Sequence, residues 1–482
     1  MRTRLFAALA GLLVVGACNF DILNTNQPTQ DDLINNPTRT KLAAAATGMF
    51  HQSRTGIQSF IWRLGSMGRE GINLSGNNQP DFIEPYFGPV QAGGSFGGTQ
   101  WNDRFAAIRS GNIYLAALAN DKDLSAAEKS SSTGFAKTMN ALAFMYVIET
   151  RASLGAPVDV GGDINAPPAP FVSEDSVYGY ILGLLNSAQT DLANGGSTFP
   201  FPVPPGYTGF DTPATFIAFN RALAAKAYVL RATAGCGGTA SNCYAAAITA
   251  LGASFIDPTP ANFGSGAFFD YSSSPGDVQN GLSEPLNALT FFALADNFTD
   301  AQTQTGGSLK DQRVLDKIQP AADTQIALLG AIPIPGENKF SVFFTAGSPD
   351  PNHSIPIIKN EELVLLRSEA QWFTGAKAAA ISDLNLVRQN SGLLPASAVT
   401  TGDVDSVFVK ALLYERRYSL LWEQGTRWID ARRFNRLGDI GADVPSGAVP
   451  PMMPIPLTEC QARNVPTNSV SNDVVTCTPL TP

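Results

Sequence analysis

The sequence predicts a mainly α-helical fold in which helical hairpins stack into a scaffold and long irregular loops project from it. Three observations carry that expectation. First, LVLLRSEAQWFTG places Leu363, Leu366, Ala370 and Phe373 at helical spacing before a Thr374-Gly375 stop, and AKAAAISDLNLV follows with Ala380, Leu384 and Val387 on one face. Two amphipathic helices joined by so short a turn pack antiparallel. Second, FNRALAAKAYVLRATAG, a loop and CYAAAITALG repeat the same order of helix, Gly and alanine-rich helix. Third, from Asp257 to Asn360 the chain turns to Gly, Ser, Pro, Asp and Asn, with a helical period only near Leu286 to Asp296, so a large irregular insertion separates the two hairpins.

From the start, MRTR followed by LFAALAGLLVVG is a basic segment and an apolar run shorter than the ~20 residues that cross a bilayer. Residues 1–17 therefore read as a secretion signal, closed by Val15-Gly16-Ala17-Cys18, which resembles the bacterial lipobox. Cys18 would become the lipidated first residue, acylated with chains such as palmitate and tethered to a membrane. Residues 18–38 are polar and turn-rich and read as a tether or arm. A helical part is expected over 39–256, and the insertion with the C-terminal part over 257–482, the two forming one compact unit.

Within the helical part, Arg39 to His51 is alanine-rich and helical by composition. Gly65 to Gly98 has many glycines with scattered aromatics, which predicts long loops. TQWNDRFAAIRSGNIYLAAL is a helix with Trp101, Phe105, Ile108, Asn112 and Leu115 on one side, which puts Trp101 in the core. Another helix is expected over about Ser131 to Leu154; INAPPAPF is a proline-rich surface connection, and SVYGYILGLLNSAQTDLANGG is the next helix.

After the second hairpin, DSVFVKALLYERRYSLLWE is a third helix with Val407, Ala411, Tyr414, Tyr418 and Leu421 in its apolar row. It runs into EQGTRWIDARRF. Glu415, Glu423 and Asp430 here are interleaved with Arg416, Arg417, Arg427, Arg432 and Arg433 and with large aromatics. Arginine forks match carboxylate or phosphate geometry, so this could be an anion site. The chain supplies its own carboxylates, however, and the expectation is an internal network in which each acid holds an arginine and locks the helix packing.

This segment resembles the C-terminal part of the SusD/RagB nutrient-uptake lipoproteins. Their ordered elements appear as Arg367 and Glu369, Asn385 and Arg388, Gly392-Leu393, Glu415-Arg416-Arg417, Glu423-Gln424-Gly425-Thr426-Arg427 and Asp430-Ala431-Arg432-Arg433. Looser likenesses are Leu154-Gly155-Ala156-Pro157, Val177-Tyr178, Asp191-Leu192, and Pro454-Ile455-Pro456 with Glu459. The paired hairpins resemble degenerate tetratricopeptide repeats, and the resemblance as a whole implies a SusD-like α-α superhelix. It also implies a lipid-anchored protein of the bacterial outer membrane, facing the cell surface, that hands oligosaccharide or peptide to a SusC-like TonB-dependent β-barrel transporter.

Composition agrees with a neutral polar ligand: charged residues make up only 15% of the chain, and the formal charge of −9 disfavours nucleic acid, which requires a basic face. With Cys18 set aside, Cys236, Cys243, Cys460 and Cys477 form an even set with three possible pairings, of which Cys236–Cys243 and Cys460–Cys477 close the shortest loops. No Cys-x-x-Cys occurs and His51 and His353 are the only histidines, so neither a metal nor a cofactor is expected. Gly93-Gly94-Ser95-Phe96-Gly97 matches the hydrolase Gly-x-Ser-x-Gly pattern, but PVQA before it is a poor strand. Gly235 to Ala240 matches a dinucleotide fingerprint but follows a helix. The expectation is binding without catalysis, the alternative being a secreted, lipid-anchored glycan hydrolase. Sugar rings stack their C–H faces on aromatics, so Trp62, Tyr86, Phe87 and Phe291, in Gly-rich segments beside polar residues such as Asn77, Asn78 and Gln79, are the candidate ligand platforms.

Overall fold

A computed structural model describes residues 29–75, 80–161, 166–329, 332–441, 447–471 and 474–477. Cys18 and the signal segment lie outside the described residues. So do Asn77, Asn78 and Gln79.

Helices dominate, as expected. Part of the presumed tether is itself helical: α1 (Gln30–Asn35) is N-capped by the Thr29 hydroxyl and lies against a later helix. Next come α2 (Arg39–Arg54) and α3 (Ile57–Met67). Of the long loops expected between Gly65 and Gly98, residues 88–98 are indeed mostly turns and bends, but before them the chain forms the end of α3, strand β1 (Gly71–Asn73) and α4 (Pro80–Phe87). Then α5 (Thr99–Asn120), α6 (Ala126–Arg151), α7 (Glu174–Ala193), α8 (Pro213–Ala234) and α9 (Ala240–Gly252) pack each against the next. Short strands β2 (Ala156–Pro157) and β3 (Phe171–Val172) pair across the turn between α6 and α7. Cys236 and Cys243 are bridged, tying the turn between α8 and α9 to the first part of α9, and Cys460 is bridged to Cys477.

The insertion holds more strand than its composition suggested. It contains β4 (Gly266–Phe269), β5 (Phe291–Ala293), α10 (Asp296–Thr299), α11 (Gln312–Lys317), β6 (Ile318–Leu329) and β7 (Ile332–Phe340). Two-residue strands β8 (Phe344–Thr345) and β9 (Ser348–Pro349) pair, and β10 (Ile355–Lys359) pairs antiparallel with β4. The helix expected near Leu286 to Asp296 is absent. Its Phe291-Phe292-Ala293 run is β5, the second strand of a sheet ordered β1-β5-β7-β6. Its partner β1 comes from more than two hundred residues earlier, a pairing that no local period records.

The helix stack resumes where the insertion ends. Along α12 (Asn360–Phe373) and α13 (Lys377–Ser391) the second hairpin forms, and α12 packs directly on α9. Tyr244 stacks on Phe373 at 4.9 Å and its hydroxyl donates to Glu369 Oε1 at 3.2 Å. Helices α14 (Asp405–Ser419), α15 (Thr426–Arg433) and α16 (Leu457–Ala462) complete the order. Among the described residues no helix is long and apolar enough to cross a membrane.

A buried seam joins β1 and α3 to the turn between α14 and α15. Glu70 is fully buried there, and its Oε2 accepts the Trp422 backbone N–H at 3.1 Å. Burial pushes this carboxyl up to about 7, with the Arg427 guanidinium and the Trp422 N–H opposing the shift. A carboxyl raised in the folded state holds its proton after the unfolded chain has released it. Stability is therefore greatest below the unfolded value and is lost as pH rises through this window, by on the order of 2 kcal/mol. Glu70→Gln should gain on the wild type in urea midpoint between pH 5 and pH 8. A difference that stays constant with pH would show that Glu70 does not titrate in this range.

Candidate functional site

The charged segment is a core element, as anticipated, but its partners are not those the sequence suggested. Only Asp430 pairs within the segment: Arg416 Nε reaches its Oδ2 at 2.6 Å and Arg433 Nε its Oδ1 at 2.9 Å. Glu415, 1% exposed, instead takes Arg388 and Arg313, each at 2.8 Å, from other helices. Glu423 is held by two lysines, Lys317 at 2.9 Å and Lys359 at 2.6 Å. Burial alone would raise the Glu423 carboxyl, but the two ammonium groups outweigh it and leave it below its ordinary value. Arg427 donates to the Arg69 carbonyl at 2.7 Å and pairs with Asp296 of the insertion at 3.4 Å. Among the described residues Arg432 pairs with no acid. It donates to the carbonyl of Glu149 at 2.6 Å and lies over Trp428.

The candidate platform rings do not present open faces. Trp62 is 6% exposed on α3, packed against Phe96 at 5.9 Å and Phe291 at 5.7 Å, with the Arg63 guanidinium 4.7 Å over its ring. Phe291 is half-buried between Trp62 and Trp422. Tyr86 is fully buried; its hydroxyl donates to the Gly71 carbonyl at 2.7 Å and Arg69 covers its ring. Phe87 is half-buried against the same small cluster, which includes Ile72, Leu74, Phe82 and Phe292. Strand alternation in β5 explains the division: Phe291 points to the Trp62 side and Phe292 to the Tyr86 side. The structure therefore joins Trp62 with Phe291 and sets Tyr86 with Phe87 elsewhere. The helices α3 and α4 and the strand β1 gave these rings a core to enter, which a loop would not.

Accessible aromatic surface occurs instead in an open groove of about 720 Å³ at the N-terminal half of α5. Half-buried Phe105 forms its floor, and Trp101, one helical turn away with its centroid 4.5 Å from that of Phe105, is 4% exposed and contributes only an edge. Phe171 stacks on Trp101 at 5.9 Å, and Arg151 lies over the indole from below. Pro157, Pro167, Pro168 and Pro170 form one wall, and Glu459 of α16 with Arg463 just past its end close the other end. The polar rim is Asn102, Arg109, Asp159, Glu459 and Arg463. Arg463 pairs with Glu459 at 2.7 Å, whereas among the described residues Arg109 hydrogen-bonds only the Gln30 side-chain oxygen, at 3.0 Å. An apolar floor with a sparse hydrogen-bonding rim suits a polyhydroxylated ring. A second groove, of about 590 Å³, runs between α2, the prolines near 202–205 and the 268–277 segment. It is the poorer candidate because its guanidinium, Arg54, is already held by Asp277 and the Asp270 carbonyl.

Sequence reasoning assigned Trp101 to the core, and at 4% exposure it is there. It missed that the edge of the same residue borders a groove. The proline-rich INAPPAPF connection, read only as surface, is partly a groove wall, and no local signal brings Arg463 across to it. Among the described residues no cluster of His, Cys, Asp or Glu could hold a metal ion.

No protein-family model matches the chain, and no curated protein matches it in sequence. Solved structures do match its shape. A SusD superfamily protein from Parabacteroides distasonis superposes with a TM-score of 0.65 at 16% identity, over 87% of this chain and 97% of its own. A SusD superfamily protein from Bacteroides vulgatus matches at 0.62 and 17% identity, over 89% and 97%. A structure described as a SusD-like carbohydrate-binding protein from Bacteroides fragilis matches at 0.62 and 14% identity, over 84% and 87%. The chain thus has the SusD fold, a helical scaffold with tetratricopeptide-like hairpins.

Proposed function

We propose, from the SusD fold as premise, that this protein binds glycans without catalysis, as a lipid-anchored component of an outer-membrane importer. The observation that carries the binding is the groove over Trp101 and Phe105, with Asn102, Arg109 and Asp159 on its rim. One structural neighbour is described as SusD-like and carbohydrate-binding, which supports the same ligand class. The basic and apolar leader ending at Cys18 supports lipid anchoring; placement at the outer membrane, facing outward, rests on the fold premise alone. The natural partner is then a SusC-like TonB-dependent barrel, to which captured oligosaccharide is delivered. Hydrolysis has less support: Glu459 is engaged by Arg463, leaving Asp159 as the other rim carboxylate, whereas glycosidic cleavage uses a cooperating pair.

Calorimetric titration of a glycan panel into the mature protein tests this reading. Phe105→Ala and Arg109→Ala should each weaken the bound glycan by about 1 kcal/mol, roughly fivefold. Trp101 is left intact because its removal would open the core. Full affinity in both variants would place the site elsewhere, and release of shortened glycan would make the protein an enzyme.

A further inference from the structure

A separate pocket of about 370 Å³ opens where the end of α6, the start of α7, the end of α8 and the C-terminal end of α15 meet. It shares no residue with the groove. Three charged side chains line it: Glu174, Arg432 and Arg433. Arg433 is fully engaged, bonded to Glu369 at 2.6 Å and to Asp430 at 2.9 Å. The other two are not. Among the described residues Glu174 makes no side-chain hydrogen bond or ion pair, and Arg432 bonds only carbonyls, those of Glu149 at 2.6 Å and Pro451 at 3.4 Å. Burial pushes the Glu174 carboxyl up and the Arg432 guanidinium down, each opposing the other's shift by its charge. They feel one another across the pocket without touching.

We infer that this pocket binds a small zwitterion, a free amino acid or dipeptide, with its carboxylate on Arg432 and its ammonium on Glu174. A simple anion would meet Glu174, and a simple cation would meet Arg432. A neutral sugar would leave neither half-buried charge in direct contact with a counter-charge, which is the costly arrangement for groups withdrawn from water. A molecule carrying both signs satisfies both walls with charge-assisted hydrogen bonds, and two carbonyl bonds still leave Arg432 donors available for a carboxylate. Leu230, Ile429 and Met452 supply an apolar part of the wall beside the polar Ser153, Thr233 and Asn435, so a zwitterion with an apolar side chain has a surface to cover. The volume lies at the small end of ligand pockets, fitting one or two residues and excluding an oligosaccharide.

The experiment is calorimetry on the mature protein with leucine, leucyl-glycine, N-acetyl-leucine, leucine amide and glucose. Leucine or leucyl-glycine should bind, and removing either charge by blocking should weaken the leucine scaffold about tenfold or more. Glu174→Gln, which breaks no hydrogen bond or ion pair among the described residues, should weaken the zwitterion to a similar extent and leave N-acetyl-leucine unchanged or improved. That shift in preference between free and blocked amine is a readout that general destabilisation would not produce. Absence of binding by both zwitterions at about 10 mM, equal binding of free and blocked forms, or glucose binding lost in Glu174→Gln would each overturn the inference. Glycan affinity at the Phe105 groove should be unaffected by Glu174→Gln, so failure here is distinguishable from failure of the groove reading.

Discussion

Asp430→Ala should lower folding stability by about 3–5 kcal/mol, the largest effect expected of any single change discussed here. Asp430 is 2% exposed and bridges Arg416 on α14 to Arg433 on its own helix. Removing it affects the two arginines differently. Arg433 keeps Glu369 at 2.6 Å. Arg416, 1% exposed, loses the one hydrogen-bond partner its side chain has among the described residues, and its Nη1 is already buried without one. An uncompensated guanidinium in the core is what makes breaking a buried pair costly, more than any attraction the pair contributed. Chemical denaturation checks this, with Arg433→Gln as comparison, since that change leaves Asp430 paired to Arg416. A loss below about 1 kcal/mol in Asp430→Ala would show that water reaches Arg416 and that the network is not sealed.

Gly425→Ala should cost about 2–5 kcal/mol for a different reason. Gly425 precedes the first residue of α15 at φ 68° and ψ 24°, a left-handed conformation that disfavours any side chain. Space is equally restrictive, because a Cβ there would lie 2.2 Å from Leu64 Cβ on α3. Leu64 is fully buried on a packed helix and cannot yield without moving α3. The glycine of Glu423-Gln424-Gly425-Thr426-Arg427 is therefore set by a tight turn and a close helix approach together. Thermal denaturation of Gly425→Ala alongside Leu64→Gly/Gly425→Ala separates the two causes, because only glycine at 64 removes the Cβ that is struck. If the double change recovers none of the loss relative to Leu64→Gly alone, the clash is absent and backbone strain accounts for the whole effect.

What the sequence determined by itself is the local architecture: the 213–252 and 360–391 hairpins, the α14 helix, and a charged segment directed inward. Each follows from helical spacing within twenty or so residues, where side chains three and four apart must share a face whatever lies around them. Tertiary structure alone decided which groups meet. Glu423 selected Lys317 and Lys359 instead of a neighbouring arginine, and Arg427 selected Asp296, because buried charges pair with whichever counter-charge the packing brings within reach. The sheet that draws β5 to β1 was hidden for the same reason, since strand partners are set by distant chain crossings and short strands carry little period of their own. That sheet, with α3 and α4, took Trp62, Tyr86 and Phe291 into packing, while the bend after α6 and the return of α16 left Phe105 and the edge of Trp101 bordering open space. Whether an aromatic packs or binds depends on what covers its face, and that cover comes from elements far away in the chain.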